Sequence, residues 1–208
     1  MVKVIRWISK AELRQTVKKI IANDGVIVYP TDTVYGLGAN PFSKKAVEKV
    51  FSIKKRSKNK PIPLLISRLK YLKKIAFLNK IAKKLIKKFW PGQLTLVLKR
   101  KNVPDWITCG HDKVGVRIPN HKLCIFIIES CGGILTGTSA NLSGKKTPAS
   151  IKELSPQIFK RVDLVIDAGP CPVKMPSTVV DVLENGVKIL REGPVSKKDI
   201  EKALKFSF

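Results

Sequence analysis

The sequence predicts a mixed α/β fold in which helices flank a twisted sheet. Short apolar runs typical of strands alternate with longer segments whose apolar residues recur at helical spacing. Near the end of the chain, Asn185-Gly186 lies between two such runs and predicts a β-hairpin. Because a hairpin is combined with alternating strands and helices, the sheet should contain both parallel and antiparallel strands. The length of 208 residues fits a single domain over residues 1–208.

In the first half of the chain, serines mark the predicted helix starts. Ser9 and Glu12 form a capping box for a helix that should run to about Asn23, and Ser43 is the N-cap of the next helix. A third helix over Ile75–Trp90 carries lysine pairs on its outer side, a pattern that favours a solvated face over a recognition element. The predicted strands here are Val2–Ile8, Val26–Tyr29 and Pro61–Ile66.

The second half repeats the alternation. A helix is predicted over Leu123–Ser130, Ser150 and Glu153 form another capping box, and Ser196 with Asp199 starts the last helix. The predicted strands are Leu94–Leu98, Val114–Ile118, Ile134–Thr136, Leu164–Asp167, Thr178–Leu183 and Val187–Leu190.

The composition bounds the class of protein. No run of about 20 apolar residues is long enough to span a membrane, and the first residues are too charged for a signal peptide, so we expect a cytoplasmic protein without a membrane partner. The cysteines form no C-x-x-C pair, and free, mostly buried thiols are favoured over a zinc site. Such a site would combine Cys109, His111, His121 and Cys124. We therefore expect no metal site made from protein side chains.

The net charge of +26, from 41 Lys and Arg against 15 Asp and Glu, is unusually large. Such an excess usually indicates a polyanionic partner. A lysine-rich thermophilic proteome is the alternative, but that signature normally raises glutamate as well. Because acidic residues are sparse here, a partner or the ionic environment is the favoured cause.

Two segments rich in small and hydroxyl-bearing residues follow predicted strands. Tyr29–Gly38 reads Y-P-T-D-T-V-Y-G-L-G, and Thr136–Gly144 reads T-G-T-S-A-N-L-S-G. Small residues let a backbone approach a ligand closely, while hydroxyls and exposed N–H groups donate to phosphate oxygens. Each segment alone is also typical of an ordinary polar turn. Two of them in one domain predict two walls of a single pocket.

These segments and five other stretches resemble the YrdC family of threonylcarbamoyl-AMP synthases, in its short, single-domain form. The matches follow one another over nearly the whole chain: Pro30–Gly38, Ile53–Pro61, Trp90–Leu98, Val114–Pro119, Ser139–Gly144, Ser177–Asp181 and Ile189–Gly193. The resemblance implies one YrdC-like α/β domain, with a twisted mixed sheet around a large, positively charged cavity. It also implies that L-threonine, bicarbonate and ATP condense to threonylcarbamoyl-AMP and pyrophosphate, for the t6A37 modification of tRNA.

For the nucleotide, the resemblance implies a set of polar and charged residues. Lys54 and Arg56 match the family's K-x-R for the ATP phosphates and are its implied catalytic cations, whereas from the sequence alone they also suit the C-terminus of a helix. Ser57 stands where the family commonly has proline. The implied ATP-binding residues are Lys54, Arg56, Lys60, Ser139, Asn141, Ser143 and Arg191.

For the threonine substrate, the resemblance implies contacts from Thr33, Arg117 and Ser177. A guanidinium binds a carboxylate bidentately, and Gly115 leaves a cleared floor beside Arg117. The alternatives are an Arg117 that points to water and a Thr33 hydroxyl that serves its own turn. Some family members have a histidine near the threonine at the position of Leu65, so in this chain that contact must come from the backbone or be absent.

The implied reaction gathers several anions, which fixed cations and oriented N–H groups serve better than a general base. Mg²⁺ should arrive with ATP, since the charge of the triphosphate must be neutralised. The implied partners are ATP, L-threonine, bicarbonate, tRNA and the downstream threonylcarbamoyl-transferase complex. Two alternatives remain. One is a carbamoyl-adenylate-forming relative, although such domains usually lie in longer chains with zinc-binding parts. The other is a non-catalytic basic RNA-binding protein, which rests on charge alone.

Overall fold

A computed structural model describes residues 2–6 and 9–205. Its strands, in chain order, are β1 Lys3–Ile5, β2 Ile27–Tyr29, β3 Gly36–Gly38, β4 Leu64–Ile66, β5 Leu94–Lys99, β6 Lys113–Arg117, β7 Ile134–Thr136, β8 Thr138–Ser139, β9 Leu164–Ile166, β10 Thr178–Val182 and β11 Val187–Arg191. Its helices are α1 Lys10–Ala22, α2 Lys44–Lys54, α3 Leu69–Ile75, α4 Lys80–Phe89, α5 Asp105–Thr108, α6 Lys122–Ser130, α7 Pro156–Phe159 and α8 Lys197–Lys205.

The strands lie in two mixed sheets, with orders β1-β9-β2-β3-β8 and β11-β10-β5-β6-β4-β7. In the first sheet β9 runs parallel to both β1 and β2, whereas β3 is antiparallel to its two neighbours. In the second, β5 is parallel to β10, β4 is parallel to β6, and the other pairs are antiparallel. The predicted mixed α/β fold is thus confirmed, and its strands divide between two sheets.

Several local predictions are confirmed by the caps. Ser9 and Glu12 form the capping box of α1, and Ser196 bonds reciprocally with Asp199 at the start of α8. Ser43 caps α2, since its hydroxyl accepts from the Ala46 N–H at 3.2 Å. The hairpin of β10 and β11 also forms, and the Leu183 N–H donates to the Gly186 carbonyl in its turn.

The prediction of one helix over Ile75–Trp90 is wrong at its start. Helix α3 ends at Ile75, and α4 begins at Lys80 with Asn79 as its N-cap. Between them the backbone bonds to the end of β5, because the Phe77 N–H donates to the Lys99 carbonyl at 2.9 Å. The backbone between the helices therefore bonds to β5 and does not make the helical hydrogen bonds that the apolar spacing suggested.

The predicted capping box at Ser150 and Glu153 is also wrong. The Ser150 side chain caps nothing, and Ile151–Glu153 is a single 3₁₀ turn. The Glu153 carboxylate instead accepts from the Ala149 N–H at 2.8 Å. Of the predicted strand Val2–Ile8, the central part is confirmed as β1, and its last two residues lie outside the described residues.

Two short strands that the sequence analysis missed arise within the two hydroxyl-rich segments. Strand β3 comes from the first segment and β8 from the second, and they pair with each other, with Gly36 opposite Ser139 and Leu37 opposite Thr138. Glycine suits β3 because a Cβ on Gly38 would lie 2.6 Å from Leu135 Cδ2. The pairing places both segments at one edge of the first sheet. Within the described part of the chain, no helix is long and apolar enough to cross a membrane.

The caps give a stability prediction. Ser43→Ala removes both the acceptor for the Ala46 N–H and the hydroxyl that donates to Asp24 Oδ1 at 2.5 Å. We expect the free energy of unfolding to fall by about 1–2 kcal/mol in urea denaturation. The matched control is Ser150→Ala, which removes no cap bond and should change stability by less than about 0.5 kcal/mol. Equal losses in the two variants would contradict the observed capping pattern.

Candidate active site

The two hydroxyl-rich segments line one cavity of about 460 Å³. Thr33, Val34 and Gly36 come from the first segment, and Gly137 and Ser139 come from the second. The predicted two walls of a single pocket are therefore confirmed. The hydrogen-bonded pairing of β3 with β8 explains why the walls meet.

The cavity floor is formed by the adjacent strands β10, β5 and β6 of the second sheet. Successive side chains of a strand point to opposite faces, so alternate residues reach the cavity. Every second residue faces the cavity, while the residues between them, such as Leu96, Val116 and Val180, are fully buried. The cavity-facing residues are Thr95 and Val97 on β5, Lys113, Gly115 and Arg117 on β6, and Ser177 and Val179 at β10. A Cβ on Gly115 would lie 3.2 Å from Pro63 Cβ, so glycine at this position lets Pro63 pack closely against β6. Gly115 and Pro63 both line the cavity.

Arg117 is buried and its guanidinium is held from three sides. Nε donates to the Gly92 carbonyl at 2.8 Å, Nη1 to Thr33 Oγ1 at 2.9 Å, and Nη2 to Asp32 Oδ1. Arg117 is 4% exposed and Asp32 2% exposed, so the alternative in which Arg117 points to water is wrong. A guanidinium has five N–H donors, so two of those of Arg117 have no partner among the described residues, and Arg117 lines the cavity.

The Thr33 hydroxyl belongs to a small network rather than to its turn alone. Thr31 Oγ1 lies 2.9 Å from Thr33 Oγ1, donates to the Val34 carbonyl at 2.7 Å and accepts from the Thr33 N–H at 3.0 Å. Thr31 thus satisfies the turn. Its neighbour Thr33 reaches Arg117, and both threonines line the cavity.

Ser177 and Arg191 form the next part of the wall. Nε and Nη2 of Arg191 both donate to the Ser177 carbonyl, at 3.0 and 2.6 Å. The Ser177 hydroxyl lies 2.8 Å from Thr95 Oγ1. Burial, followed by the charges of Arg117 and Arg56, lowers the pKa of Arg191. The guanidinium therefore braces the turn before β10 while it faces the cavity.

Lys54 and Arg56 diverge although they are two residues apart. Lys55 ends α2 in the left-handed region, with φ of 50°. Arg56 lines the cavity, where its Nε donates to the Lys60 carbonyl at 3.0 Å and its Nη2 to the Pro61 carbonyl at 2.8 Å. Lys54 is 2% exposed and does not line the cavity.

The Lys54 ammonium lies beneath the loop that follows β8. It donates to the Ser139 carbonyl, to the Asn141 carbonyl at 2.8 Å and to Asn141 Oδ1 at 3.2 Å. The Lys54 carbonyl in turn accepts from the Ser143 N–H at 2.9 Å. Burial and the neighbouring charge of Arg56 lower the pKa of Lys54 to about 7.

The remaining sequence-predicted residues are less directly placed. Asn141 is buried within the loop, and its Nδ2 donates to the Lys145 carbonyl at 2.5 Å. Lys60 and Ser143 are exposed, and neither lines the cavity. Among the ATP-assigned residues, the structure therefore brings Arg56, Ser139 and Arg191 to one cavity.

The sequence analysis missed Asp32 and several cavity residues. Asp32 lies inside the first hydroxyl-rich segment and contacts Arg117 without lining the cavity itself. Thr95 and Lys113 line the cavity and share the strand period of its floor. Lys113 forms an ion pair of 2.7 Å with Asp181. Asp112 also lines the cavity, whose lining includes the cations Arg56, Lys113, Arg117 and Arg191.

Protein ligands for a metal ion are few. Within the described residues, no three His, Cys, Asp or Glu side chains gather as a metal site. The four cysteines are free thiols, two buried and two half-buried. Asp32 is engaged by Arg117, and Asp112 is the one acidic residue among the described residues that line the cavity.

Comparisons with known proteins agree with this architecture. The threonylcarbamoyl-AMP synthase of Pyrococcus abyssi is 37% identical over 181 residues, which cover 86% of this chain and 53% of the relative. The chain thus spans about half the length of that relative. The crystal structure of P. abyssi Sua5 complexed with L-threonine matches at a TM-score of 0.91 and 34% identity, over 98% of this chain and 61% of that chain.

A relative from Methanocaldococcus jannaschii, also named for threonylcarbamoyl-AMP synthase activity, is 39% identical over 191 residues that cover 90% of each chain. The Sua5/YciO/YrdC family model, described as telomere recombination, matches residues 19–193. This match extends over most of the sequence and includes the segments that build the cavity walls. The chain therefore belongs to the Sua5/YciO/YrdC family.

Proposed function

We propose that this protein is a threonylcarbamoyl-AMP synthase, which condenses L-threonine, bicarbonate and ATP to threonylcarbamoyl-AMP and pyrophosphate. The observation that carries the proposal is a single cavity lined by both Arg117, with its spare N–H donors, and the cations Arg56 and Arg191. One cavity can thus hold a carboxylate at one position and phosphates at another. The names of the relatives and the threonine-bound Pyrococcus structure support the same activity.

The threonine site is formed by Arg117, Thr33 and Ser177. The substrate carboxylate takes the two remaining N–H groups of Arg117, whose plane is fixed in advance by Asp32 and the Gly92 carbonyl. Preorganisation of this kind reduces the entropy that binding must overcome. The Thr33 and Ser177 hydroxyls lie in the same wall and are suited to the substrate's polar groups.

The nucleotide site is formed by Arg56, Ser139 and Arg191 in the cavity, with Lys60, Asn141 and Ser143 around it and Lys54 beneath the loop. Arg56 is the catalytic cation, because guanidinium donors suit the charge that develops on the phosphates. Asp112, the acidic residue in the cavity lining, would be the carboxylate closest in kind to a ligand for Mg²⁺ bound with ATP, which would neutralise part of the triphosphate charge.

The chemistry requires the anions to be held in order. The threonine amine and bicarbonate give a carbamate with loss of water. A carbamate oxygen then bonds to the α-phosphorus of ATP, and the bond to the β-phosphate oxygen breaks to release pyrophosphate. The residues of this chain hold the reactants in position and stabilise their negative charge, which are the main requirements of such a step.

The product is an activated intermediate, so a downstream threonylcarbamoyl-transferase complex must carry it to tRNA for the t6A37 modification. The same reaction assigns the protein to the cytoplasm, where ATP and tRNA are available. Direct contact with tRNA also belongs to this proposal.

The reaction itself is the first test. With Mg²⁺ and ATP, the purified protein should release pyrophosphate only when L-threonine and bicarbonate are both present, because the carbamate is the nucleophile. Product masses, measured with each substrate omitted in turn, check this. Pyrophosphate release at an equal rate without threonine would contradict the synthase activity.

Arg117→Lys tests the threonine clamp. Lysine keeps the charge opposite Asp32 but loses the bidentate geometry, so we expect the KM for threonine to rise about tenfold or more. The melting temperature should also fall, since the bonds to Gly92 and Thr33 are lost. The KM for ATP should change little.

The matched control for this variant is Arg100→Lys. Arg100 is a half-buried guanidinium that bonds to the Val103 carbonyl at 2.9 Å and lies outside the cavity lining. Its replacement should leave both KM values unchanged. If Arg117→Lys raises the two KM values by the same factor, Arg117 has a general structural role and does not clamp threonine.

A further inference from the structure

The positive charge of this chain is concentrated in one stretch. Residues 49–104 contain eighteen Lys and Arg and no Asp or Glu. Like-charged residues four apart on a helix, such as Lys80 with Lys84 and Lys83 with Lys87, oppose helix formation. The stretch therefore carries a charge that folding itself does not require.

The tertiary structure gathers part of this charge around one aromatic ring. Phe77 lies between α3 and α4 and is 53% exposed, although Ala76 beside it is buried. Its N–H bonds to the Lys99 carbonyl, and Lys101 Nζ lies 5.6 Å from the ring centroid. We define the Phe77 patch as Phe77 with the exposed Lys73, Lys74, Lys80, Lys99 and Lys101.

The lysines of the Phe77 patch are not neutralised within the protein. Among the described residues, none of them forms an ion pair with a carboxylate. None lines the active-site cavity either. Their charge is thus available to a partner at a place separate from the proposed reaction.

We propose that the Phe77 patch binds RNA, with its lysines on backbone phosphates and the Phe77 ring stacked on an unpaired base. Aromatic rings set among cations are suited to single-stranded or looped nucleic acid. An acidic protein would use the lysines but would gain no stacking from the ring. The Phe77 patch locates the RNA contact of the proposed function, and its test is independent of the synthase reaction because the patch and the cavity share no residue.

The test compares two quadruple variants by binding to a tRNA transcript over a range of salt concentrations. The patch variant combines Lys73→Gln, Lys74→Gln, Lys80→Gln and Lys101→Gln. The control combines Lys10→Gln, Lys18→Gln, Lys152→Gln and Lys160→Gln, which are exposed lysines elsewhere. The patch variant should bind the transcript at least tenfold more weakly. The slope of its log binding constant against log salt concentration should be smaller in magnitude by about three. The control should keep most of the slope, and both should make adenylate at the normal rate.

Phe77→Ala separates the ring from the charge. It should weaken RNA binding about tenfold without a change in the salt slope, because stacking releases no counterions. Equal losses in the two quadruple variants would mean diffuse attraction and would overturn the proposal. Competition by polyglutamate as strong as that by RNA would overturn it as well, in favour of an acidic protein partner.

A second inference concerns Lys54 and rests on the proposed function. Its ammonium is closed off from the cavity and is bonded to three oxygens of the loop at Ser139 and Asn141. Its carbonyl holds the other end of the same loop through Ser143. We infer that Lys54 is a positioning residue, which acts on ATP through the loop and does not contact the phosphates.

The test uses Lys54→Met, which removes the donors, and Lys54→Gln, which keeps N–H donors without the charge. Lys54→Met should raise the Kd for ATP about tenfold or more and leave that for L-threonine unchanged, while Lys54→Gln should recover part of the loss. Hydrogen exchange at the Ser143 amide, measured without ATP, should be faster in Lys54→Met. If Lys54 contacts phosphate directly, the glutamine variant will be as weak as the methionine variant and the exchange rate will not change.

A double-mutant cycle adds an independent measure. The loss of ATP affinity on combining Ser139→Ala with Lys54→Met should be smaller than the product of the two single losses, because both changes act on one loop. If the loss of ATP affinity in the double variant equals the product of the two single losses, the inference is overturned. The exchange measurement needs no turnover, so it stands even if no adenylate is formed. Failure of the synthase assay and failure of this inference are therefore distinguishable.

Discussion

The buried ion pair between Arg117 and Asp32 joins the two sheets of this protein. Arg117 ends β6 in the second sheet, whereas Asp32 follows β2 in the first. Two charges withdrawn from water cost several kcal/mol each, and their attraction offsets this only with good geometry and further hydrogen bonds. Those bonds come from Gly92 and Thr33. The pair therefore holds the first hydroxyl-rich segment against the β6 floor of the cavity, and the other polar contacts are arranged around it.

Much of the fold could be predicted because its signals are local. The capping residues Ser9 and Ser43 and the turn at Asn185-Gly186 act through neighbours a few residues away. The errors arose where contacts between distant segments determine the local structure. Residues after Ile75 leave the helix because β5 offers their backbone other partners. Strand β3 forms between β2 and β8, and β8 forms against β3. A strand of two or three residues has no pattern of its own to recognise.

The candidate site shows the same division. The motifs identified the residues that form the site, but their burial and contacts determine which of them can reach a ligand. Lys54 and Arg56 read as equivalent phosphate cations, yet one left-handed residue between them sends the first beneath a loop and the second into the cavity. Asp32 was overlooked because the motifs were interpreted for residues that contact a ligand. Asp32 instead contacts Arg117, the proposed ligand contact.

The position of β9 between β1 and β2 has a consequence for synthesis on the ribosome. The N-terminal strands cannot pair with each other, because Leu164 and its neighbours must lie between them. The first sheet therefore stays open until most of the chain has been translated. In that interval the short apolar edges of β1 and β2 are exposed, and edges of this kind invite pairing with other chains. Residues 49–104, with their eighteen Lys and Arg, emerge in the same interval, and repulsion between these like charges should keep nascent chains apart.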